Sequence, residues 1–313
     1  MKNKTNNIKV VSTGKYLPKD VLTNFDMEQI IDTNDEWIYT RTGIKERRRA
    51  TKETTSDMAT SAALDAIEKA NYDKEKIDLI VVATFTPDVS SPSVANYVQA
   101  KLGLNEQDVM CFDINAACTG FIYALNVASQ MVNSGFYKSA LVIGSELLTN
   151  VVNYQDRNTC VLFGDGAGAM IIENTDEDKP AYFYASSKGD LEDIIIVDPL
   201  IRMEGRKVYT FATKILDKSV NKVLEETNTS IEDIDMLIPH QANARIIESA
   251  AKSLNLSMDK VFLNINKYGN TSSASIPIAV DEYLETLDNK EGKKIVLVGF
   301  GGGFTWGAAL LTL

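Results

Sequence analysis

The sequence predicts an α/β protein built from two similar halves that share one core. Three observations lead there. Short, continuous apolar runs alternate with amphipathic segments, which implies strands buried on both faces and covered by helices. The same order of runs occurs twice along the 313 residues, with an offset of 152 between Leu102 and Leu254. No low-complexity stretch or polar linker separates the copies, so independent domains on a tether are not expected.

Taken in order, a helix over about residues 57–70 leads into a buried strand at 76–81, and its copy is a helix over about 211–226 followed by a strand at 233–238. A helix ending at 101–104 precedes a strand at 109–114; the copy runs from 253–256 into a strand at 261–265. The segment after Cys118 carries Phe121, Ile122, Ala124, Leu125, Val127, Ala128, Met131 and Val132. It is apolar nearly all round until Ser134-Gly135 stops it, which predicts a buried helix. Strands at 140–144 and 168–172 match strands at 295–299 and 307–311. Residues 174–209 break the repeat and mix charge runs with Asp198-Pro199, so they read as a connecting insertion. The halves are therefore 1–173 and 174–313.

Composition narrows the function. At 44% hydrophobic and 24% charged residues the chain is an ordinary globule. No window approaches the 18 apolar residues of a membrane span, and the start, Met1-Lys2-Asn3-Lys4-Thr5-Asn6-Asn7, is polar; no membrane insertion and a cytoplasmic location are expected. A net charge of −11 argues against general nucleic-acid binding, which needs a basic face. Cys111, Cys118 and Cys160 are odd in number and lack a metal-binding spacing, so free thiols and no metal site are expected.

The chain has one histidine, His240, in Pro239-His240-Gln241-Ala242-Asn243, which excludes any site needing two imidazoles from one chain. Carrying the offset of 152 forward sets Asn270 opposite Cys118, each where a strand hands over to a helix. A cysteine at a helix N-terminus feels the positive end of the macrodipole, which lowers its pKa below about 8.5. A buried cysteine is also a small hydrophobe, and Cys111 and Cys160 keep that reading. Gly164-Asp165-Gly166-Ala167-Gly168 looks like a phosphate loop, but a strand follows it, not a helix. The glycines at 299 and 301–303 fit either a tight turn or an oxyanion-binding backbone.

Together the ordered motifs resemble the β-ketoacyl-acyl carrier protein synthase III family of thiolase-fold condensing enzymes. The residues that carry the likeness are Asp35-Glu36-Trp37 with Thr40-Arg41-Thr42-Gly43-Ile44, Ala116-Ala117-Cys118, residues 163–168, Pro239-His240-Gln241-Ala242-Asn243, Gly269-Asn270-Thr271-Ser272 and residues 301–307. The resemblance implies a thiolase-like layering, α-β-α-β-α, from two pseudo-symmetric halves. It implies that Cys118 accepts the primer acyl group from acyl-CoA, with backbone N–H groups of Cys118 and Gly302 at the oxyanion. His240 and Asn270 would then stabilise the enolate formed as malonyl-acyl carrier protein loses CO2. It further implies CoA contacts at Trp37, Arg41, Arg157 and Asn243, carrier-protein docking at Arg245 and Lys252, a homodimer, and no cofactor beyond the acyl-CoA substrate. Elongating relatives use two histidines and thiolases a second cysteine near the C-terminus; this chain has neither. Where some members carry Phe-Pro-Ser to limit the acyl pocket, this chain has Ser91-Pro92-Ser93, so primers longer or more branched than acetyl are expected. Residues 187–202 also depart from the family pattern. Rival readings are a thiolase-fold acyltransferase of a specialised pathway with a non-malonyl acceptor, a non-catalytic paralogue, and a cysteine hydrolase using Cys118, His240 and Asn270.

Overall fold

The computed structural model describes residues 6–313; residues 1–5, which belong to the polar start behind the cytoplasmic expectation, lie outside the described residues. Nine strands make the main sheet: β1 (Asn6–Tyr16), β2 (Leu79–Ala83), β3 (Met110–Ile114), β4 (Ser139–Glu146), β5 (Gly166–Asn174), β6 (Pro180–Ser187), β7 (Met236–Pro239), β8 (Lys294–Gly301) and β9 (Thr305–Thr312). Their order is β7-β8-β9-β6-β1-β5-β4-β2-β3. The pairing between β6 and β1 is confined to Asn6↔Ala181 and Asn7↔Pro180, so the order divides there into two halves. In the first half β3, β2 and β4 run parallel and β5 and β1 follow antiparallel; in the second β7 and β8 run parallel and β9 and β6 follow antiparallel.

Seven helices are needed to describe the layers: α1 (Asp35–Thr42), α2 (Thr55–Lys69), α3 (Val94–Lys101), α4 (Gly120–Asn133), α5 (Gly205–Thr227), α6 (Ala244–Ser253) and α7 (Ser275–Glu285). Side chains alternate across each strand, so every central strand feeds two cores. Ile80, Val82, Leu141 and Ile143 pack outward against Ala59, Ala62, Ala63 and Ala66 of α2 and Val98 of α3. Val81, Val142, Leu297 and Ala309 turn inward to α4 and α7 through Phe121, Ile122, Leu125, Ile276, Ala279 and Val280. Val296, Val298, Ala308 and Leu310 complete the sequence against α5 and α6. The layers are α-β-α-β-α. Among the described residues no helix is long and apolar enough to cross a membrane.

Three sequence expectations are corrected. Residues 261–265 do not form a strand: the fifth position of the second half is reduced to the bridge Leu237↔Val261. The side chain of Gln241 instead accepts the Asn264 and Ile265 N–H groups at 3.1 and 3.2 Å, and a helical turn, Ile265–Tyr268, follows. Residues 174–209 are not simply an insertion either. They contain β6, which pairs along seven residues with β9, and the hairpin Ile195–Val197 with Ile201–Met203; α5 starts at Gly205, earlier than periodicity suggested.

The third correction concerns the repeat at the site. Helices α4 and α7 open at Gly120 and Ser275, 155 residues apart, and β4 and β8 open with the same spacing at Ser139 and Lys294. Ala117 and Ser272, also 155 apart, share left-handed φ values of 48° and 50°. The counterpart of Cys118 is therefore Ser273, and that of Asn270 is Asn115. The extra turn at Ile265–Tyr268 moves the register on by three residues from the value of 152 read off Leu102 and Leu254.

Candidate active site

Cys118, His240 and Asn270 reach one cavity of about 920 Å³ between the two halves. Cys118 lies in the short helical turn Ala117–Thr119 that precedes α4, and its side chain is half-buried at the cavity wall. The turn is set by Asn115, whose Oδ1 accepts the Ala117 N–H at 3.3 Å. Burial pushes the Cys118 thiol up to about 12. The helix dipole, which alone would lower the value, is outweighed by desolvation, and the nearby Glu146 carboxyl acts in the same direction as burial, whereas the Ser272 hydroxyl opposes it.

Asn270 repeats the Asn115 turn in the other half. Its Oδ1 accepts the Ser272 N–H at 2.8 Å, and this fixes which way the amide points: the NH2 group is left as the donor for the cavity. Its backbone is held between Leu162 and Gly164, through Asn270 N–H to Leu162 O at 2.8 Å and Gly164 N–H to Asn270 O at 3.1 Å.

His240 follows β7 and extends its ladder with an N–H bond to Val298 O at 2.8 Å. The imidazole is buried, stands edge-on to Phe300 at 5.8 Å, and places Nδ1 2.6 Å from Ser275 Oγ. Burial drives its pKa down to about 3, so the ring is neutral at working pH. The glycines at the end of β8 serve close approach: a Cβ on Gly301 would stand 2.7 Å from the Cys118 nitrogen, and Gly302 lines the cavity beside it. The other glycine motif is packing, not a phosphate loop, since β5 begins at Gly166.

At the mouth, the Trp37 ring of α1 meets two guanidinium groups, Arg41 at 4.6 Å and Arg157 at 4.7 Å from its ring centre. Trp37, Arg41 and Asn243 line the cavity; Arg157 is not among the described residues lining it and donates to Asp32 O at 3.1 Å. Asn243 caps α6 through Arg245 N–H at 2.9 Å and donates its amide to Arg41 O at 2.9 Å. Arg245 and Lys252 are exposed on α6; Arg245 borders a smaller cleft with Lys45, not the main cavity. Ser91 and Pro92 are exposed in the loop before α3 and are not among the described residues lining this chain's cavity.

Sequence reasoning missed several residues. The hairpin supplies an apolar wall with Ile195, Val197, Ile201 and Met203, for which the run of four aliphatic residues at 194–197 was an available signal. Ser275 and the buried Glu146 had none. Glu146 accepts from Thr84, Thr86 and the Phe85 N–H at the end of β4, and burial pushes its carboxyl up to about 7.

A family model described as 3-oxoacyl-[acyl-carrier-protein] synthase III matches residues 112–189, and one for the C-terminal part of the same enzyme matches 224–313. The β-ketoacyl-[acyl-carrier-protein] synthase III of Acholeplasma laidlawii is 56% identical over 98% of both chains. The chain belongs to the β-ketoacyl-acyl carrier protein synthase III family. As such it is a condensing acyltransferase that initiates type II fatty-acid synthesis. The crystal structure of the synthase III of Aquifex aeolicus is 48% identical and superposes with a TM-score of 0.95, covering 99% of this chain and 100% of that one. A priming β-ketosynthase of the R1128 polyketide pathway is 32% identical at a TM-score of 0.91, covering 99% and 97%.

Proposed function

We propose that this synthase III works through Cys118, His240 and Asn270 on acyl-CoA and malonyl-acyl carrier protein. The Cys118 sulfur attacks the acyl-CoA carbonyl, the backbone N–H groups of Cys118 and Gly302 hold the oxyanion, and the thiol proton leaves with the CoA sulfur. Malonyl-acyl carrier protein then loses CO2, and its thioester oxygen becomes an enolate to which His240 and Asn270 donate. The enolate carbon attacks the acyl-cysteine carbonyl and expels the Cys118 sulfur, which takes up a proton. The observation that carries this reading is the Asn270 amide: with Oδ1 occupied by Ser272, it offers a donor and no base. A neutral His240 beside it suits donation to a developing anion.

The same reading gives Trp37, Arg41, Arg157 and Asn243 to CoA, Arg245 and Lys252 to the carrier protein, a homodimer as the working assembly, and the cytoplasm as its place. The apolar cavity wall at Ile195, Val197, Ile201 and Met203 favours primers longer or more branched than acetyl, while Ser91–Ser93 does not line this chain's cavity. Comparing turnover of acetyl-CoA with branched acyl-CoA tests this; strict preference for acetyl overturns it.

The central test locates the acyl group on a peptide by mass spectrometry after incubation with acyl-CoA, then follows CO2 release from malonyl carrier protein. His240→Ala and Asn270→Ala should still acylate Cys118 but lose decarboxylation about 100-fold or more; loss of acylation in the His240 variant would assign that residue to the thiol instead. The likeness to the R1128 enzyme favours a specialised pathway, and the second reading adds to it a non-malonyl acceptor. Failure of acyl-Cys118 to condense with malonyl carrier protein would support it.

A further inference from the structure

We infer that Ser275 is the positioning residue that holds His240 in the tautomer carrying its proton on Nε2, the form able to donate into the cavity. This rests on the reading of His240 as an enolate donor and adds what sets its proton. Ser275 is the first residue of α7, its side chain is buried, and Oγ lies 2.6 Å from Nδ1. A hydroxyl has one hydrogen to give and two lone pairs. The Gln241 N–H, which can only donate, approaches Oγ at 3.4 Å and takes one lone pair. Among the described residues Oγ has no further partner, so its hydrogen goes to Nδ1. A ring that accepts at Nδ1 carries its own hydrogen at Nε2.

The internal repeat supports the assignment. The counterpart of Ser275, 155 residues earlier, is Gly120 at the start of α4. Its neighbour there is Ala83, which ends β2 as His240 ends the β7 ladder; a Cβ on Gly120 would lie 3.1 Å from the Ala83 side chain. One position thus carries no side chain opposite an alanine and a hydroxyl opposite the imidazole. Packing alone would be met by alanine at 275.

Because the chain has a single histidine, labelling with [15N]histidine yields one imidazole, and long-range proton–nitrogen correlation reads its tautomer in the resting protein. The wild type should show Nε2 protonated and Nδ1 as the hydrogen-bonded acceptor. In Ser275→Ala the Nδ1 resonance should lose its hydrogen-bond shift and the two tautomers should mix. Decarboxylation of malonyl carrier protein should fall about 10- to 100-fold, with acylation of Cys118 within about twofold of wild type. Ser275→Thr should restore the Nδ1 shift and part of the rate. A wild type protonated on Nδ1 overturns the inference, and does so even if Ser275→Ala fails to fold; a Ser275→Ala spectrum and rate equal to wild type overturns it as well. Normal decarboxylation by His240→Ala would instead remove the mechanistic reading while leaving the tautomer assignment standing on its spectrum.

Discussion

His240 and Glu146 are two buried groups whose burial shifts them in opposite directions, each towards its neutral form. The imidazole is driven down to about 3, so an unfolded chain takes up a proton below about 6.5 that the folded chain refuses. Its contribution to stability is full above that value and is lost as pH falls towards 3. The ring stays neutral across the working range, and single-turnover CO2 release should therefore show no limb near pH 6.5; a tenfold fall per pH unit through that point would mean an ordinary imidazole. Glu146 has its folded pKa raised to about 7, so its contribution is full below the unfolded value near 4.5 and is lost as pH rises through 7. Its bonding agrees: Ser273 Oγ has one hydrogen but lies 2.9 Å from Ala83 O and 2.8 Å from Glu146 Oε1, and a protonated carboxyl resolves the conflict by donating to Ser273. Glu146→Gln should gain stability over wild type between pH 5 and pH 8, by up to about 3 kcal/mol in urea unfolding. A difference independent of pH would place the carboxyl at its ordinary value. The sequence made His240 conspicuous by its solitude, yet neither burial nor the Ser275 contact has a local signature, since both come from residues far along the chain.

At the level of elements, the continuously apolar strands are legible in the sequence, whereas β1, which mixes Asn, Lys and Ser with its apolar residues, β6 and the turns are not. Four buried runs in each half announced themselves by apolar continuity, but the run at 261–265 met Gln241, whose side chain takes the N–H groups a ladder would use. That replacement and the turn after it are what displaced the counterpart of Cys118 from Asn270 to Ser273. The end of β8 shows the tolerance of the finished arrangement. A Cβ on Gly301 meets a backbone nitrogen, that of Cys118, which cannot swing aside as a side chain can. On the proposed mechanism, Gly301→Ala should slow acyl-Cys118 formation about 100-fold by shifting the proposed oxyanion donor, as read by the rate at which the acyl mass appears on the enzyme. Gly189→Ala, where a Cβ meets nothing within 4 Å, should acylate at the wild-type rate. Equal rates for the two variants would separate the β8 end from the oxyanion.

Across the whole molecule, the candidate site depends on two halves held in register: Cys118 comes from one, His240 and Asn270 from the other. Two similar α/β halves with a shared core are readable from the repeat and the α-β-α-β-α order from the family resemblance, but what ties the layers is not, because the tie is ionic and long-range. Asp281 of α7 is buried and accepts from Thr13 at 2.8 Å and Lys15 at 2.7 Å on β1, and from Lys69 at 2.9 Å on α2. Breaking such a group leaves buried charge without its partner, at a cost of about 3–5 kcal/mol. Asp281→Asn should fall near the lower end, since Glu285 still faces both lysines at 2.7 and 2.9 Å. The two tryptophans allow the coupling to be read half by half: Trp37 belongs to the first and Trp306, on β9, to the second. If the shared core makes one cooperative unit, Trp37→Phe and Trp306→Phe should each give a fluorescence transition in urea at its own midpoint with the same slope as far-ultraviolet dichroism. Adding Asp281→Asn should lower both midpoints together. A loss confined to one tryptophan would mean that the halves unfold separately and that the site can come apart while each half persists.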